Sequence, residues 1–245
     1  MVDYQTFLQI IHPLGLPTIS PAAFERFTVY AQMLCEKNKV MNLTAIRDED
    51  EVFVRHFADS LAVYAARKEI PGRLIDVGCG AGFPGLPLKI LFDDLRGDGE
   101  TKLTLLDATR KKIDFLADVS KALSLKNVTP IAGRAEDLAA LPAHRERYDW
   151  AVSRAVADLR VLAEISLPFV RVSGQFVPHK SDRSDEEIDA ARGGIAKLGG
   201  RLVDQYVYTI APDAPSSRVL TIAKHAATPK EFPRAYARIK ARPLS

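Results

Sequence analysis

A chain of 245 residues can bury a full core, either as one domain with an extension or as two small domains. Its 47% hydrophobic and 27% charged residues are ordinary for a globular protein, and no apolar run approaches the roughly 20 residues that span a bilayer. The net charge of +3 is too small to announce a nucleic-acid partner, and two cysteines in no metal-ligand spacing, Cys35 and Cys79, argue against a disulfide framework and a zinc site.

The opening stretch "MVDYQTFLQIIHPLGL" has neither the positive segment nor the cleavage site of a signal peptide, so a reducing, cytoplasmic location is expected. The first 70 residues read as a helical extension. Phe24, Phe27, Ala31 and Leu34 recur at helical spacing, as do Phe53, Phe57, Leu61 and Tyr64. Asp48 followed by Glu51 is a start signal for the second stripe, an acidic relative of the capping box.

From residue 71 to 245 the rhythm changes. "RLIDV", "KLTLLD", "NVTPIAG", "YDWAVSR", "GQFVPHK" and "RLVDQYVYTI" are strand-like runs, and residues 217 to 225 make a seventh. Ile113, Leu116, Ser120 and Leu123 share a helical face, as do Ile188, Ala191, Ile195 and Leu198. Such alternation implies a mainly parallel α/β sheet covered on both faces. "APDAPS" is too short for a crossover helix, so the last two strands should pair antiparallel. A parallel sheet ending in an antiparallel hairpin is the Rossmann-like architecture of S-adenosylmethionine-dependent methyltransferases.

"DVGCGAGFPGLP", residues 76 to 87, ends the first strand on a glycine-rich turn. Gly80 and Gly85 stand at phosphate-loop spacing, but Leu86 occupies the place of the lysine that would neutralise phosphates. Gly80, Gly82 and Gly85 also spell a dinucleotide fingerprint, crowded by Pro84 and Pro87. The third reading, Gly78, Gly80 and Gly82 directly after Asp76, suits S-adenosylmethionine, which has no pyrophosphate and carries positive charges that an acid can face. Asp107 ends the second strand, where a carboxylate can accept from ribose hydroxyls, and Glu136 follows the third, near the expected adenine. Either acid could instead cap a helix.

These residues resemble the bacterial small-subunit ribosomal RNA methyltransferase G family, also called glucose-inhibited division protein B. "NLTAIRD", "RHFADSL", "DVGCGAGFPGLPLKI", "LLDATRKKIDFL" and "SRAVADL" occur in order, and the resemblance runs from about Lys39 to Leu244. It implies methylation of guanine N7 in 16S ribosomal RNA, within or outside the small subunit, with S-adenosylmethionine as cofactor and no metal. Carried over by position, cofactor contacts fall on Gly78, Phe83, Ala135, Glu136 and Arg154, to which the residue argument adds Asp76, Gly80 and Asp107. Ser181 and Ala237 stand where the family commonly has glycine.

Guanine N7 carries a lone pair and no proton, so direct in-line transfer needs alignment and charge tolerance but no general base, and no catalytic residue is expected. Neither cysteine has the setting of a cytosine-C5 nucleophile, and the chain lacks the Pro-Pro motif of amine-methylating enzymes. Arg55, His56, Arg154, Lys180 and Arg234 are candidates for the RNA face, since arginine suits guanine O6 and phosphates. Plainer roles compete: an Arg55–Asp59 helical ion pair, a structural His56, ordinary surface charge at Lys180 and Arg234. The tail from Lys224 to Arg242 holds six basic residues against Glu231, and reads either as a solvated face or as a polyanion contact. A small-molecule methyltransferase on the same fold is the alternative function.

Overall fold

The apolar stripes of the first third fold as helices. The computed structural model describes residues 2–154, 157–181, 185–211 and 214–245. Helix α1 spans Tyr4–Ile11, capped by the Asp3 carboxylate, which accepts from the Thr6 amide. Helix α2 spans Pro21–Met41, with Ser20 as cap and proline in its first turn, and ends at Asn42 in the left-handed region. Helices α3 (Glu49–Val52) and α4 (Asp59–Arg67) run on through a π-helical stretch, Phe53–Ala58. As its spacing predicts, Asp48 caps α3 by accepting from Glu51 N at 3.0 Å.

The strands follow the sequence reading closely: β1 Arg73–Val77, β2 Lys102–Asp107, β3 Val128–Ala132, β4 Tyr148–Arg154, β5 Val170–Ser181, β6 Gly200–Tyr208 and β7 Ser217–Lys224. They form one sheet in the order β3-β2-β1-β4-β5-β7-β6. β1 pairs in parallel with β2 and β4, while β7 is antiparallel to both β5 and β6. The strand order reverses at β1, which places a crevice beyond the C-terminal ends of β1, β2 and β4.

Successive strand residues point to opposite faces, so the sheet divides two cores. Leu74, Leu105, Val152 and Val177 face the first, which holds α1, α2, α4, and helices α5 (Gly85–Arg96) and α6 (Arg110–Ala122). Ile75, Leu106, Ala151 and Phe176 face the second, with α7 (Ala135–Ala139), α8 (Leu159–Ser166) and α9 (Asp185–Lys197). The N-terminal helices thus share a core with the sheet: Phe27, Tyr30, Phe53 and Phe57 are fully buried in the cluster that includes Leu86 and Leu116.

The tail folds back over the second core. Phe232, Leu244 and Ile239 of helix α10 (Tyr236–Ala241) are buried there. Gly194 makes room for it, since a Cβ at that position would lie 2.7 Å from the Leu244 side chain. Arg145 fastens the turn before it, donating to the carbonyls of Thr228, Pro229 and Phe232 at 2.8–3.0 Å.

Candidate active site

β1 stops at Val77 because the next residues leave the extended region. Gly78, Gly80 and Gly82 have φ of +73°, +57° and +104°, which L side chains rarely adopt. A Cβ on Gly82 would overlap the Tyr30 hydroxyl, Leu116 and Leu86, so this glycine is required by packing. Among the described residues, a Cβ on Gly80 would meet nothing within 4 Å. The Tyr30 hydroxyl donates to Ala81 O, so α2 pins the turn from behind.

On one side of this turn lies a crevice of about 160 Å³ lined by Gly78, Asp107, Ala135 and Glu136, with Val77, Leu106 and Ile165 as apolar walls. Four of the expected cofactor residues therefore meet in one place. Asp107 accepts from Gly80 N at 3.0 Å and from Thr109 N at 2.8 Å, which leaves each oxygen a further lone pair for a hydroxyl donor. The alternative of a helix cap does not hold for Asp107, since α6 starts after Thr109 without a side-chain cap. The carboxylate instead ties the glycine turn to the end of β2 and faces the crevice.

Asp76 is a correction. Its side chain does not line the crevice but is fully buried beneath the turn, where it accepts from Gly85 N at 2.8 Å. Burial, only partly offset by that hydrogen bond and by Arg154, raises its pKa to about 7. Its other oxygen has no hydrogen-bond partner among the described residues.

On the other side of the turn is a larger polar cavity of about 640 Å³. It gathers four of the expected RNA residues, Arg55, His56, Arg154 and Lys180, with Asp59 and His179. The π-helical stretch explains an unexpected pairing. Arg55 does not pair with Asp59; it sits 3.7 Å from Glu51, while Asp59 takes Arg154 at 2.8 Å and the Tyr208 hydroxyl at 2.6 Å. Asp59 stays ionised, its pKa lowered against burial by His179, Arg154 and Tyr208.

Arg154 also donates to His56 Nδ1 at 2.9 Å, and its guanidinium lies 4.8 Å from the centroid of the Phe83 ring. His56 stacks on the same ring at 4.4 Å and bonds Thr44 Oγ1 through Nε2 at 2.7 Å. With Nδ1 accepting, Nε2 carries the proton, and His56 is neutral. Burial and then the Arg154 charge lower its pKa to about 3. His56 is thus a structural group in the cavity wall. Arg154 and Phe83, expected beside the cofactor, do not line the smaller crevice; they stand across the turn from it.

Lys180 bonds Ala157 O at 3.1 Å and Glu187 at 2.6 Å, so its charge is partnered at the cavity edge. Arg234 is a second correction. Its guanidinium forms a two-pronged bond to Glu164 at 2.8 and 2.6 Å, with that carboxylate fully buried, and so anchors the tail rather than presenting charge to a ligand. Lys224 is likewise drawn inward, onto Leu167 O at 2.8 Å. Lys230, Arg238, Lys240 and Arg242 remain exposed.

Two cavity residues escaped the sequence reading. Asp59 was legible only as a helical partner for Arg55. His179, 5% exposed, makes no hydrogen bond of normal geometry among the described residues, and burial lowers its pKa to about 4. In the sequence it is one polar residue in an apolar strand, with no spacing to mark it.

The chain matches the family model described as rRNA small subunit methyltransferase G over residues 23–208. Among curated relatives named ribosomal RNA small subunit methyltransferase G, that of Alkaliphilus metalliredigens is 45% identical over 86% of both chains. That of Halalkalibacterium halodurans is 40% identical over the full length of both. Solved structures share the fold at low identity. TrmN from Thermus thermophilus superimposes with a TM-score of 0.51 at 15% identity, covering 70% of this chain and 53% of that one. YcgJ from Bacillus subtilis gives 0.50 at 13% identity, covering 69% and 98%.

Proposed function

This chain belongs to the rRNA small subunit methyltransferase G family, and we infer from that membership that it methylates guanine N7 of 16S ribosomal RNA by direct in-line transfer from S-adenosylmethionine. The reading is supported above all by the sidedness of the glycine turn, with a ring-sized crevice on one side and a polar cavity on the other.

The residues fit the cofactor. Gly78 and Gly80 keep the turn bare, and Asp107 and Glu136 supply acceptors for ribose and adenine donors. Arg154, across the turn, is the cation placed to take the carboxylate of the methionine end, and Phe83 backs it. Bound S-adenosylmethionine supplies an electrophilic methyl carbon on a positively charged sulfur.

The chain's own contribution is placement. The polar cavity holds the guanine with its N7 edge toward the turn, and no residue has to remove a proton. Asp59, ionised and fixed by Arg154 and Tyr208, offsets the positive charge that passes to the base. Arg55, at the exposed rim, takes RNA phosphate or guanine O6. Lys230, Arg238, Lys240 and Arg242 extend a basic surface for the surrounding RNA. The physiological acceptor is the small subunit or its RNA, which places the enzyme in the cytoplasm. No helix among the described residues is long and apolar enough to cross a membrane.

Transfer of a labelled methyl group tests this reading. Small subunits, or deproteinised 16S RNA, from cells lacking the protein should accept label, and mass mapping should locate it on one guanine. An unlabelled RNA beside a labelled small molecule would favour the alternative acceptor.

A further inference from the structure

One wall of the crevice beside Gly78 comes from the C-terminal tail. Tyr236, in the C-terminal tail, lines it together with Arg134, Asp107 and Glu136. The residues matched by the family model stop at 208, so this wall lies beyond them. We propose that Tyr236 is a cofactor-binding residue, its ring forming the face against which the adenine of S-adenosylmethionine packs.

Three observations carry this. The tail holds the ring from both sides: Arg234, two residues earlier, is fastened to buried Glu164, and Ile239, three residues later, is fully buried in the second core. The Arg134 guanidinium sits over the ring, 5.8 Å from its centroid. The crevice, about 160 Å³, is comparable to a cavity of about 150 Å³ that admits benzene, so it has room for a ring system. An aromatic wall facing apolar Val77, Leu106 and Ile165, with Glu136 at the rim, suits a flat heterocycle carrying an amine.

The proposal rests on the crevice being the adenosyl site. It is tested with the full-length chain by calorimetric titration of S-adenosylhomocysteine and, separately, of adenosine. Tyr236→Ala should weaken both ligands by the same factor, about 10-fold or more, because an aromatic face is lost from one base. Tyr236→Phe should bind both as the parent does. Unchanged affinity in Tyr236→Ala overturns the proposal, as does equal weakening in Tyr236→Phe, which would assign the effect to the hydroxyl. Retained S-adenosylhomocysteine affinity with lost binding of a 16S RNA fragment also overturns it, since the ring would then serve an RNA base. If Tyr236→Ala does not fold, Tyr236→Leu, which keeps the bulk without the flat face, should lose at least about 3-fold; parental affinity there overturns the assignment. A parent protein that binds neither ligand would sink the cofactor reading itself, a result distinct from any of these.

Discussion

Arg154 and Asp59, 95 positions apart, meet at 2.8 Å across the mouth of the larger cavity, where both side chains are at most 15% exposed. The pair joins the β4 end to the segment after the π-helical stretch, and through the Phe83 ring it touches the glycine turn. Arg154→Ala strands a mostly buried carboxylate and should reduce stability by about 2–4 kcal/mol, read as a fall in the urea midpoint. Adding Asp59→Asn should recover part of that loss. The same Arg154→Ala protein should bind S-adenosylhomocysteine more weakly but adenosine normally; equal losses would place Arg154 at the adenosine end.

Arg234→Ala should act through the fold. Glu164 is fully buried and would lose its cation, so a destabilisation of about 3 kcal/mol is expected, with proteolytic cleavage moving into residues 225–245. Exposed Lys240→Ala should instead leave the melting temperature nearly unchanged and lower the salt dependence of RNA binding. A stable Arg234→Ala protein with weakened RNA binding would restore the direct RNA role.

Two glycines of the turn should respond differently. Gly82→Ala collides with Tyr30, Leu86 and Leu116 and should prevent stable folding. Gly80→Ala meets open space and should cost about 1–2 kcal/mol for its positive φ, measured by urea denaturation. Similar losses at both positions would contradict the packing described for α2 against the turn.

The pH dependence of stability follows from three buried groups. His56 and His179 titrate at about 3 and about 4 in the fold, against 6.5 unfolded. Between about pH 4 and 6.5 the unfolded chain therefore binds more protons at both sites, and stability falls as pH falls. Asp76, raised from 3.8 to about 7, acts in the opposite direction over the same window. The net slope should correspond to roughly one proton, about 1.4 kcal/mol per pH unit. His179→Phe should flatten it and Asp76→Asn should steepen it in urea titrations from pH 4.5 to 6.5. A slope of opposite sign in the parent would show that the histidines are charged in the fold.

Much of this protein was readable from local pattern. Every strand was visible as an apolar or β-branched run; the central strands β1, β2 and β4 are buried between two helical layers and need such residues along their length. The glycine turn was visible because only glycine satisfies its φ values without strain. Gly78, Asp107, Ala135 and Glu136, at or shortly after strand ends, line one crevice because a parallel sheet brings its C-terminal ends to one edge.

What failed was any inference about which charges meet. Arg55 and Asp59 have helical spacing, yet the π-helical stretch and the β4 terminus give Asp59 to Arg154. Arg234 looks like surface charge, yet a buried glutamate 70 residues earlier claims it. The sequence by itself determined the sheet, the turn, the crevice acids and the family, all of which rest on backbone conformation and on residue order along the chain. Only the tertiary structure decided the ion pairs, the burial of Asp76 and the tail's place over the second core. Charge pairing and desolvation depend on distances between segments remote in sequence, and no local pattern records them.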